Sequence, residues 1–279
     1  MNKINNLQNS EEILSALFAQ RCLYSKAKRI DTIIFMLMIF NCVIANINCV
    51  KEMYVFIIVF TIAIINVIFH ETKEKSINEA AEIQEYIDRK LYGFKINESI
   101  DNYSIEELKR KIKSINIKYE KKAAIQKNST GASKEHGVKD WYVDIKQNMK
   151  KNNAIYKCQT QNTWWDEKNS QTYVKINFVL FLAIFIVFVW ALKTESYAFL
   201  IAMLEPLLYI FDFYRKNQKF ADVSKEIKTL EERIDKDNID IKDLEYIQEK
   251  IFKRRKVGYM VPDFIDKLKS IKLHRIYKE

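Results

Sequence analysis

The stretch that decides the fold, residues 32–50, reads TIIFMLMIFNCVIANINCV and holds 19 residues without a charge. A second uncharged run of 17 residues, 53–69, follows after Lys51 and Glu52. An α-helix rises about 1.5 Å per residue and the hydrocarbon core of a bilayer is about 30 Å thick, so about 17–25 apolar residues cross it. The two-residue connection permits only a tight helical hairpin. We therefore predict two membrane spans here.

A second pair of apolar runs lies further along the chain. Residues 176–192 are uncharged over 17 positions, and residues 197–213 are interrupted only by Glu205 and Asp212. The connection between them, residues 193–196, is again short. The alternative is a set of buried helices in a large soluble core, which uncharged runs of this length disfavour. We predict an all-α membrane protein with four transmembrane helices arranged as two hairpins.

The distribution of positive charge predicts the orientation. The chain has 46 Lys and Arg against 36 Asp and Glu, a net charge of +10, and 44 of the 46 lie outside the two short connections. Because Lys and Arg near span ends stay on the cytoplasmic side, we expect both termini and the long middle segment in the cytoplasm. The predicted regions are a cytoplasmic amphipathic N-terminal helix (1–30), hairpin 1 (31–70), a cytoplasmic helical region (71–175), hairpin 2 (176–213) and cytoplasmic C-terminal helices (214–279).

Long amphipathic cytoplasmic helices are predicted after each hairpin. Their apolar stripes have helical spacing and should pack into a bundle; the stripe positions are Ile77, Ala80, Ile87 and Leu91, then Phe220, Val223, Ile227, Leu230 and Ile234. Ser104 and Glu107 form a capping box that opens a helix running to about Lys127. Two further helices are predicted at about 240–256 and 263–276. The N-terminal helix either lies along the anionic inner leaflet or packs on the bundle, and both interpretations stay open.

Composition argues against several classes of protein. With 4 glycines and 2 prolines, the chain has little material for glycine-rich phosphate loops. There are 3 histidines, and the cysteines show no C-x-x-C spacing, which disfavours a zinc site or a disulfide framework; these are Cys22, Cys42, Cys49 and Cys158. No set of carboxylates, serines, cysteines and histidines has a recognisable catalytic spacing. We therefore expect no enzyme, no metal and no cofactor.

Glu205 is the most informative single residue. It lies nine positions into its span, near the bilayer midplane, where an ionised carboxylate costs about 2.5–3.5 kcal/mol unless it faces protein or water. Asp212 lies seven residues further on, and Asn41 and Asn48 are likewise seven apart in the first span. These four residues are candidates to line a pore. In the alternative, Glu205 accepts hydrogen bonds between helices, with potential partners Asn41, Asn46, Asn66 and Thr61.

Two aromatic clusters and three arginines are candidates for ligand binding. The clusters are Asp140-Trp141-Tyr142 and Trp164-Trp165-Asp166. They suit the core of a cytoplasmic bundle or, alternatively, the stacking of a nucleobase beside arginine. Arginine also matches the geometry of phosphate, although an inner-leaflet contact or a structural ion pair is an equally good interpretation. The candidate residues are Arg21, Tyr24, Trp141, Tyr142, Trp164, Trp165, Arg254 and Arg255.

Several segments together carry a family resemblance. In order they are Gln8-Asn9, AQRCLYSKAK (19–28), KDWY (139–142), CQTQNTWWD (158–166), IFKRR (251–255) and PDF (262–264). Their order and spacing resemble the SMODS-associated four-transmembrane effectors of bacterial cyclic-oligonucleotide anti-phage systems. The resemblance covers essentially the whole chain.

The resemblance implies a pore-forming suicide effector in the bacterial inner membrane. A partner nucleotidyltransferase would sense phage and make a cyclic oligonucleotide, and the membrane protein would then open and depolarise the cell, causing abortive infection. Four helices in one chain enclose little water, so a pore would need a homo-oligomer. The lipid bilayer is an expected partner, and DNA and RNA are not. The competing interpretation is a non-enzymatic membrane anchor whose basic cytoplasmic bundle recruits a partner protein or anionic lipid.

Overall fold

The protein is almost entirely α-helical. The computed structural model describes residues 3–45, 52–143, 145–191 and 197–258. Within these ranges the helices are α1 (Ile4–Gln8), α2 (Glu11–Ile44), α3 (Glu52–Tyr92), α4 (Ile105–Lys118), α5 (Glu120–Asn128), α6 (Lys151–Ala191), α7 (Tyr197–Arg233) and α8 (Ile241–Lys256). Two short strands, β1 (Ser99–Ile100) and β2 (Tyr103–Ser104), form an antiparallel pair between α3 and α4.

Four long helices contain the predicted apolar runs. Helices α2, α3, α6 and α7 have 34, 41, 41 and 37 residues. A helix of this length is about 50–60 Å long, well beyond the thickness of the hydrocarbon core. Each one continues without a break from its apolar run into a charged segment. A displacement at one end of such a rod is therefore carried to the other end.

The prediction of a helical fold is confirmed, whereas the four membrane spans stay a prediction. Among the described residues, one helix is long and apolar enough to cross a membrane, Met53–Tyr92 within α3, and Phe181–Trp190 in α6 is a shorter apolar segment. Large apolar side chains are exposed on all four long helices, among them Phe40, Phe60, Ile186 and Leu208. Apolar surface of this extent is typical of lipid-facing helices. Lys51 of the first predicted connection and residues 193–196 of the second lie outside the described residues, so the hairpin arrangement stays a prediction.

The charged half of α3 is the centre of the helical bundle. The predicted stripe residues Ile77, Ala80, Ile87 and Leu91 are all buried. In α7, Phe220, Val223 and Ile227 are buried and Leu230 is partly exposed, as is Ile234 just after the helix. At the end of α3, Gly93 adopts φ 68°, and Phe94 packs edge-on against Tyr92. The predicted amphipathic stripes therefore face the core.

The N-terminal helix packs on the bundle. Ile13, Leu17 and Phe18 of α2 are buried in the same core cluster as Ile83 and Ile87 of α3. The sequence left open whether this helix lies along the inner leaflet or packs on the bundle, and in the structure it packs on the bundle. Helix α2 begins one residue after Ser10, as predicted, although the Ser10 side chain makes no capping hydrogen bond.

The other predicted helix boundaries are close to those observed. Ser104 and Glu107 form the predicted capping box, but the helix ends at Lys118 and α5 begins at Glu120. The break at Tyr119 turns Ala123 into the same core as Ile115. Helix α8 begins after Asp240, whose side chain accepts a hydrogen bond from the Lys242 backbone. The helix predicted at 263–276 lies outside the described residues.

Candidate functional site

Helix α3 carries four buried carboxylates at every third position. They are Glu79, Glu82, Glu85 and Asp88, with exposures of 5, 0, 1 and 1 %. A step of three residues turns a helix by about 300°, so each carboxylate points about 60° away from the previous one. We call this set the acidic ladder. Glu79 and Glu82 face different neighbours, whereas Glu85 and Asp88 both face α8, and this part of α3 is buried around most of its circumference.

The first two members of the acidic ladder hold nearby elements. Glu79 lies 2.9 Å from the Nζ atom of Lys111 in α4. Glu82 accepts hydrogen bonds from the backbone N–H groups of Asn102 and Tyr103 at 3.2 and 3.1 Å. Burial raises the pKa of Glu82, and these hydrogen bonds oppose the shift. Both residues have structural roles.

The last two members of the ladder hold α8. The Gln248 Nε2 atom donates to Glu85 Oε2 at 2.7 Å and lies 3.2 Å from Asp88 Oδ2. The Arg255 Nη1 atom lies 2.7 Å from Asp88 Oδ2 and 4.0 Å from Glu85 Oε2. Burial disfavours the charged form of Arg255, but the neighbouring acidic groups Asp88, Tyr142, Glu85 and Tyr24 together outweigh it and raise the Arg255 pKa. Arg255 and Asp88 form a buried ion pair between α8 and α3.

Tyr142 joins the ladder to two other parts of the chain. Its hydroxyl donates to Asp88 Oδ1 at 2.7 Å and accepts from Asn162 Nδ2 of α6 at 3.0 Å. Its backbone N–H donates to Gln8 Oε1 of α1 at 2.9 Å. Burial and the nearby Asp88 charge raise the pKa of Tyr142, so the hydroxyl keeps its proton. Residues far apart in sequence thus meet at one carboxylate.

Arg254 forms a second buried ion pair, between α8 and α6. Its side chain is fully buried, with Nη2 2.5 Å from Asp166 Oδ2 and the guanidinium over the Phe220 ring at 5.5 Å. Its Nε and Nη1 atoms have no hydrogen-bond partner in the part of the chain that the structure describes. Burial lowers the pKa of Arg254, and the charge of Asp166 opposes this shift. The ion pair between Arg254 and Asp166 therefore satisfies only part of the hydrogen-bonding capacity of the guanidinium.

The remaining ligand-binding candidates surround this cluster. Arg21 donates to the backbone carbonyls of His136 and Gly137 at 2.5 and 3.0 Å. A Cβ atom at Gly137 would lie 1.7 Å from the Ser129 carbonyl oxygen, so this turn requires glycine. Burial raises the pKa of Tyr24, which lies within electrostatic range of Arg255.

The aromatic residues differ in burial. Tyr142 is 2 % exposed, whereas Trp141, Trp164 and Trp165 are half-buried. Trp164 and Trp165 pack edge-on with ring centroids 5.4 Å apart. Tyr142 lies in the main core and Trp141 packs against it, while the ligand-binding role of the two clusters stays a prediction.

Glu205 lies against two amides from other helices. Its Oε1 atom accepts from Asn66 Nδ2 of α3 at 2.5 Å, and Oε2 accepts from Asn41 Nδ2 of α2 at 3.3 Å. Asn41 and Asn66 are 1 and 5 % exposed, and Pro206 follows Glu205 inside α7. Thr61 instead donates to the carbonyl of Ile57. In one chain, Glu205 therefore has the interhelical contacts of the second interpretation.

Ion pairs lie where the apolar segments of α2, α3 and α7 meet the charged bundle. Lys73 of α3 pairs with Asp31 of α2 at 2.8 Å. Lys216 of α7 pairs with Glu74 of α3 at 2.6 Å and with Asp212 of its own helix at 3.2 Å. Burial disfavours the charged form of Lys216, but the hydrogen bond and charge of Glu74 outweigh it and raise the Lys216 pKa. We call these five residues the boundary ion pairs.

The structure thus brings together most, but not all, of the sequence candidates. Tyr24, Tyr142, Arg254 and Arg255 lie in or beside one buried cluster, and Glu205 contacts Asn41. Asp212 belongs to the boundary ion pairs, and Asn48 lies outside the described residues. The pore-lining and ligand-binding roles of all these residues stay predictions.

Sequence reasoning missed the residues that hold the candidates in place. The acidic ladder could have been found from its three-residue spacing, since Glu79, Glu82, Glu85 and Asp88 alternate with the apolar stripe. A groove of about 1040 Å³ between α2, α4 and α5 was also missed. Its lining includes three lysines and three glutamates, so its charges balance; they are Lys109, Lys113, Lys127, Glu11, Glu12 and Glu120.

Comparison with known proteins confirms the resemblance. A family model described as the SMODS-associating 4TM effector domain matches residues 2–270. No curated protein and no solved structure matches the chain. Among the residues that the structure describes, no group of histidine, cysteine and acidic side chains could hold a metal ion.

Proposed function

The chain belongs to the SMODS-associating 4TM effector family, and from this membership we propose that it is a pore-forming effector of anti-phage defence. Membership itself makes the chain a membrane effector linked to nucleotide signalling. The proposal adds that it sits in the bacterial inner membrane with both termini in the cytoplasm. A cyclic oligonucleotide made by a partner nucleotidyltransferase opens the pore and so kills the infected cell.

One observation carries the proposal. Helices α2, α3 and α7 each have an apolar segment with exposed side chains, as lipid-facing helices have. Each helix continues without a break from this segment into the buried core of the bundle. Rods of this kind would carry a rearrangement in the core to the membrane. A membrane anchor needs no such continuity.

The pore itself requires several copies of the chain. The apolar part of α6 exposes one large side chain after another, including Phe178, Phe185 and Ile186. Four helices in one chain enclose little water, so the proposed channel forms in a homo-oligomer. Its cation-attracting ring would consist of Glu205 from each subunit, freed from Asn41 and Asn66 when the pore opens.

The proposed ligand is an anion recognised by cytoplasmic arginines. The net charge of +10 favours an anionic partner. Arg254 and Arg255 now contact carboxylates, which occupy the positions that phosphate groups would take. A phosphodiester would therefore have to displace Asp166 or Asp88, or bind first at Arg21 nearby.

Reconstitution tests the function directly. Purified protein in liposomes is mixed with a panel of cyclic di- and trinucleotides, and ion flux is followed with an entrapped dye. We expect one cyclic nucleotide to raise the flux, while its linear counterpart and protein-free liposomes give none. Absence of binding and of flux with every cyclic nucleotide would remove the main support for this proposal.

Cysteine labelling tests the orientation. A cysteine at Ser196 should react with an impermeant thiol reagent in spheroplasts, and one at Ser133 should react only after the membrane is opened. The single-cysteine variants are made in a background without native cysteines. The reverse labelling pattern would contradict the proposed topology.

A membrane anchor is the second candidate. It is favoured by exposed apolar side chains on the lysine-rich helices α4 and α5, where Ile117 and Ile125 are 67 and 51 % exposed. Such positions suit contact with a partner protein. The two functions differ in assembly, since a stable monomer in mild detergent, measured by light scattering, would favour the anchor.

A further inference from the structure

Helix α8 is gripped by two of the long helices through polar contacts. Arg255 and Gln248 contact the acidic ladder of α3, and Arg254 contacts Asp166 of α6. Gln159 of α6 also donates to the Leu244 carbonyl at 2.8 Å. Each of these groups can form hydrogen bonds with water when the surfaces separate. Detachment from α3 and α6 would therefore return these polar groups to water, and the apolar surface exposed would be that of Ile241, Leu244 and Phe252 in the main core.

The contact between α8 and α7 is mainly apolar. Ile247 and Ile251 of α8 pack in one apolar cluster with Val223 and Ile227 of α7, and all four are buried. Separation of these residues would expose apolar surface to water, which is unfavourable. Helices α7 and α8 should therefore move as one unit when the polar grip is lost.

The grip on α6 is also incomplete. Arg254 is buried with two donor atoms, Nε and Nη1, that have no partner in the described parts of the chain. A buried donor without an acceptor costs free energy that water would restore on opening. A contact that leaves such donors unpaired is easier to separate than a fully satisfied one, as an interface that opens during function requires.

The end of α8 lies at the boundary ion pairs. Gly258 adopts φ +72° just after the helix, and a Cβ atom there would lie 3.4 Å from Ile77 Cδ1 and 3.6 Å from Glu74 Oε2. Glu74 is the carboxylate that pairs with Lys216 of α7. A displacement of α8 would therefore disturb the contact between α3 and α7 at the boundary ion pairs, eleven residues along α7 from Glu205.

We propose that α8 is a clamp that holds the effector closed. While Arg255 grips Asp88 and Arg254 grips Asp166, the α7–α8 unit stays against α3 and α6, and Glu205 stays against Asn41 and Asn66. Detachment of α8 from α3 and α6 releases α7 and opens the conducting path. This inference rests on the proposed function, because it concerns how that pore is kept shut.

The first test removes the grip. Arg255→Gln takes away the charge that holds Asp88, and the double variant Asp88→Asn with Arg255→Gln avoids an unpaired buried carboxylate if the single variant fails to fold. The matched control is Lys250→Gln, which removes one positive charge from the same helix at its pair with Glu226 of α7. We call Arg255→Gln and the double variant the release variants. In reconstituted liposomes without any nucleotide, we expect their dye leakage to be about tenfold or more above wild type, and that of the control to be unchanged.

The second test restores the grip from outside the cluster. Lys256 of α8 pairs at the surface with Asp101, in the turn that follows α3. Cysteines at these two positions, in a background without native cysteines, can be joined by a short bismaleimide. Crosslinking should return the leakage of the release variants to the wild-type level, whereas each single-cysteine variant treated alike should stay leaky.

The outcomes separate the clamp from the pore. Hydrogen exchange reports detachment of α8 independently of leakage. Detachment without leakage in the release variants would overturn the clamp, and so would leakage that persists in the crosslinked protein. If a cyclic nucleotide opens wild-type protein and the crosslinked protein equally, the pore stands and the clamp falls. In a further outcome, no cyclic nucleotide opens the wild type, but the release variants leak and the crosslink stops their leakage. The clamp would then stand, and the proposed ligand would fall.

Discussion

The two halves of α3 satisfy their polar groups in different ways. In the charged half, the four carboxylates of the acidic ladder meet lysine, arginine, backbone amides and a tyrosine hydroxyl. In the apolar half, Asn66 meets the carboxylate of Glu205, which the uncharged amide of Asn41 also contacts. The contacts of the charged half combine opposite charges with neutral donors, whereas the contacts of Glu205 in the apolar segments use neutral donors.

The difference follows from the two solvents. Water drives apolar side chains of the charged half into a core, and the buried carboxylates then need strong partners. In a bilayer the lipid is as apolar as the helix surface, so packing and hydrogen bonds must hold the helices together. The charged half should therefore dominate stability, and the membrane half should be easier to rearrange.

The largest effect is expected from Asp88→Ala. The substitution leaves Arg255 buried without its carboxylate and removes the acceptor of the Tyr142 hydroxyl, and breaking a buried ion pair costs about 3–5 kcal/mol. For a chain of this size we expect the apparent melting temperature in detergent to fall by about 10 °C. Scanning fluorimetry measures the shift.

The control for this prediction is an exposed ion pair. Glu226→Ala removes the partner of Lys250 on the bundle surface, and such pairs contribute about 0–1 kcal/mol. Equal shifts for the two variants would show that burial of the acidic ladder does not matter for stability.

Trp164→Ala comes next. A fully buried tryptophan would cost about 3–5 kcal/mol, but Trp164 is half-buried, so we expect about 2 kcal/mol and a fall of about 5 °C. It loses its edge-on contact with Trp165. An unchanged melting temperature would rule out a packing role and favour the indole as a binding surface.

Sequence reasoning succeeded where local rules decide the outcome. The capping box at Ser104, the end of α8 before Gly258 and the apolar stripe of α3 all follow from spacing and backbone preference. These features depend on residues within one or two helical turns. Tertiary structure had little opportunity to overrule them.

The candidate site was only partly predictable, because its partners are far apart in sequence. Arg255 and Asp88 are both visible as charged residues, but nothing local shows that they meet. Charged residues on a helix usually face water, so the acidic ladder was overlooked among the many acids of α3. The break at Tyr119 is likewise set by packing of Ala123 on the core rather than by a helix-breaking residue.

Substitution of Glu205 tests the membrane side of the comparison. Glu205→Leu loses both amide contacts and should destabilise the helix assembly by about 1–2 kcal/mol, seen as lower expression or a changed oligomer. Glu205→Gln keeps the shape and one acceptor oxygen, so assembly should remain. It should reduce cation selectivity in planar-bilayer recordings and weaken toxicity in cells. Unaltered selectivity in the Gln variant would remove Glu205 from the proposed pore.

The smallest expected effect is the pH dependence contributed by Glu231, near the C-terminal end of α7. Its Oε1 atom accepts a hydrogen bond from Thr163 Oγ1 at 2.9 Å, and burial raises its pKa above the ordinary value of 4.5. Between these two values the folded protein binds more protons than the unfolded chain. Wild-type stability attributable to Glu231 must therefore fall as the pH rises through this window and level off above the folded-state pKa.

Glu231→Gln removes this loss of stability with rising pH and keeps an acceptor for the Thr163 hydroxyl. The melting temperature of the variant should equal that of wild type near pH 4.5 and rise above it as the pH approaches neutral. Glu232→Gln, at the exposed neighbouring position, should track wild type throughout. If the difference in melting temperature between the variant and wild type narrowed with rising pH, the Arg254 charge rather than burial would control the pKa of Glu231. A cation would then govern Glu231 as Arg255 pairs with Asp88, in contrast to Glu205, whose partners are neutral amides.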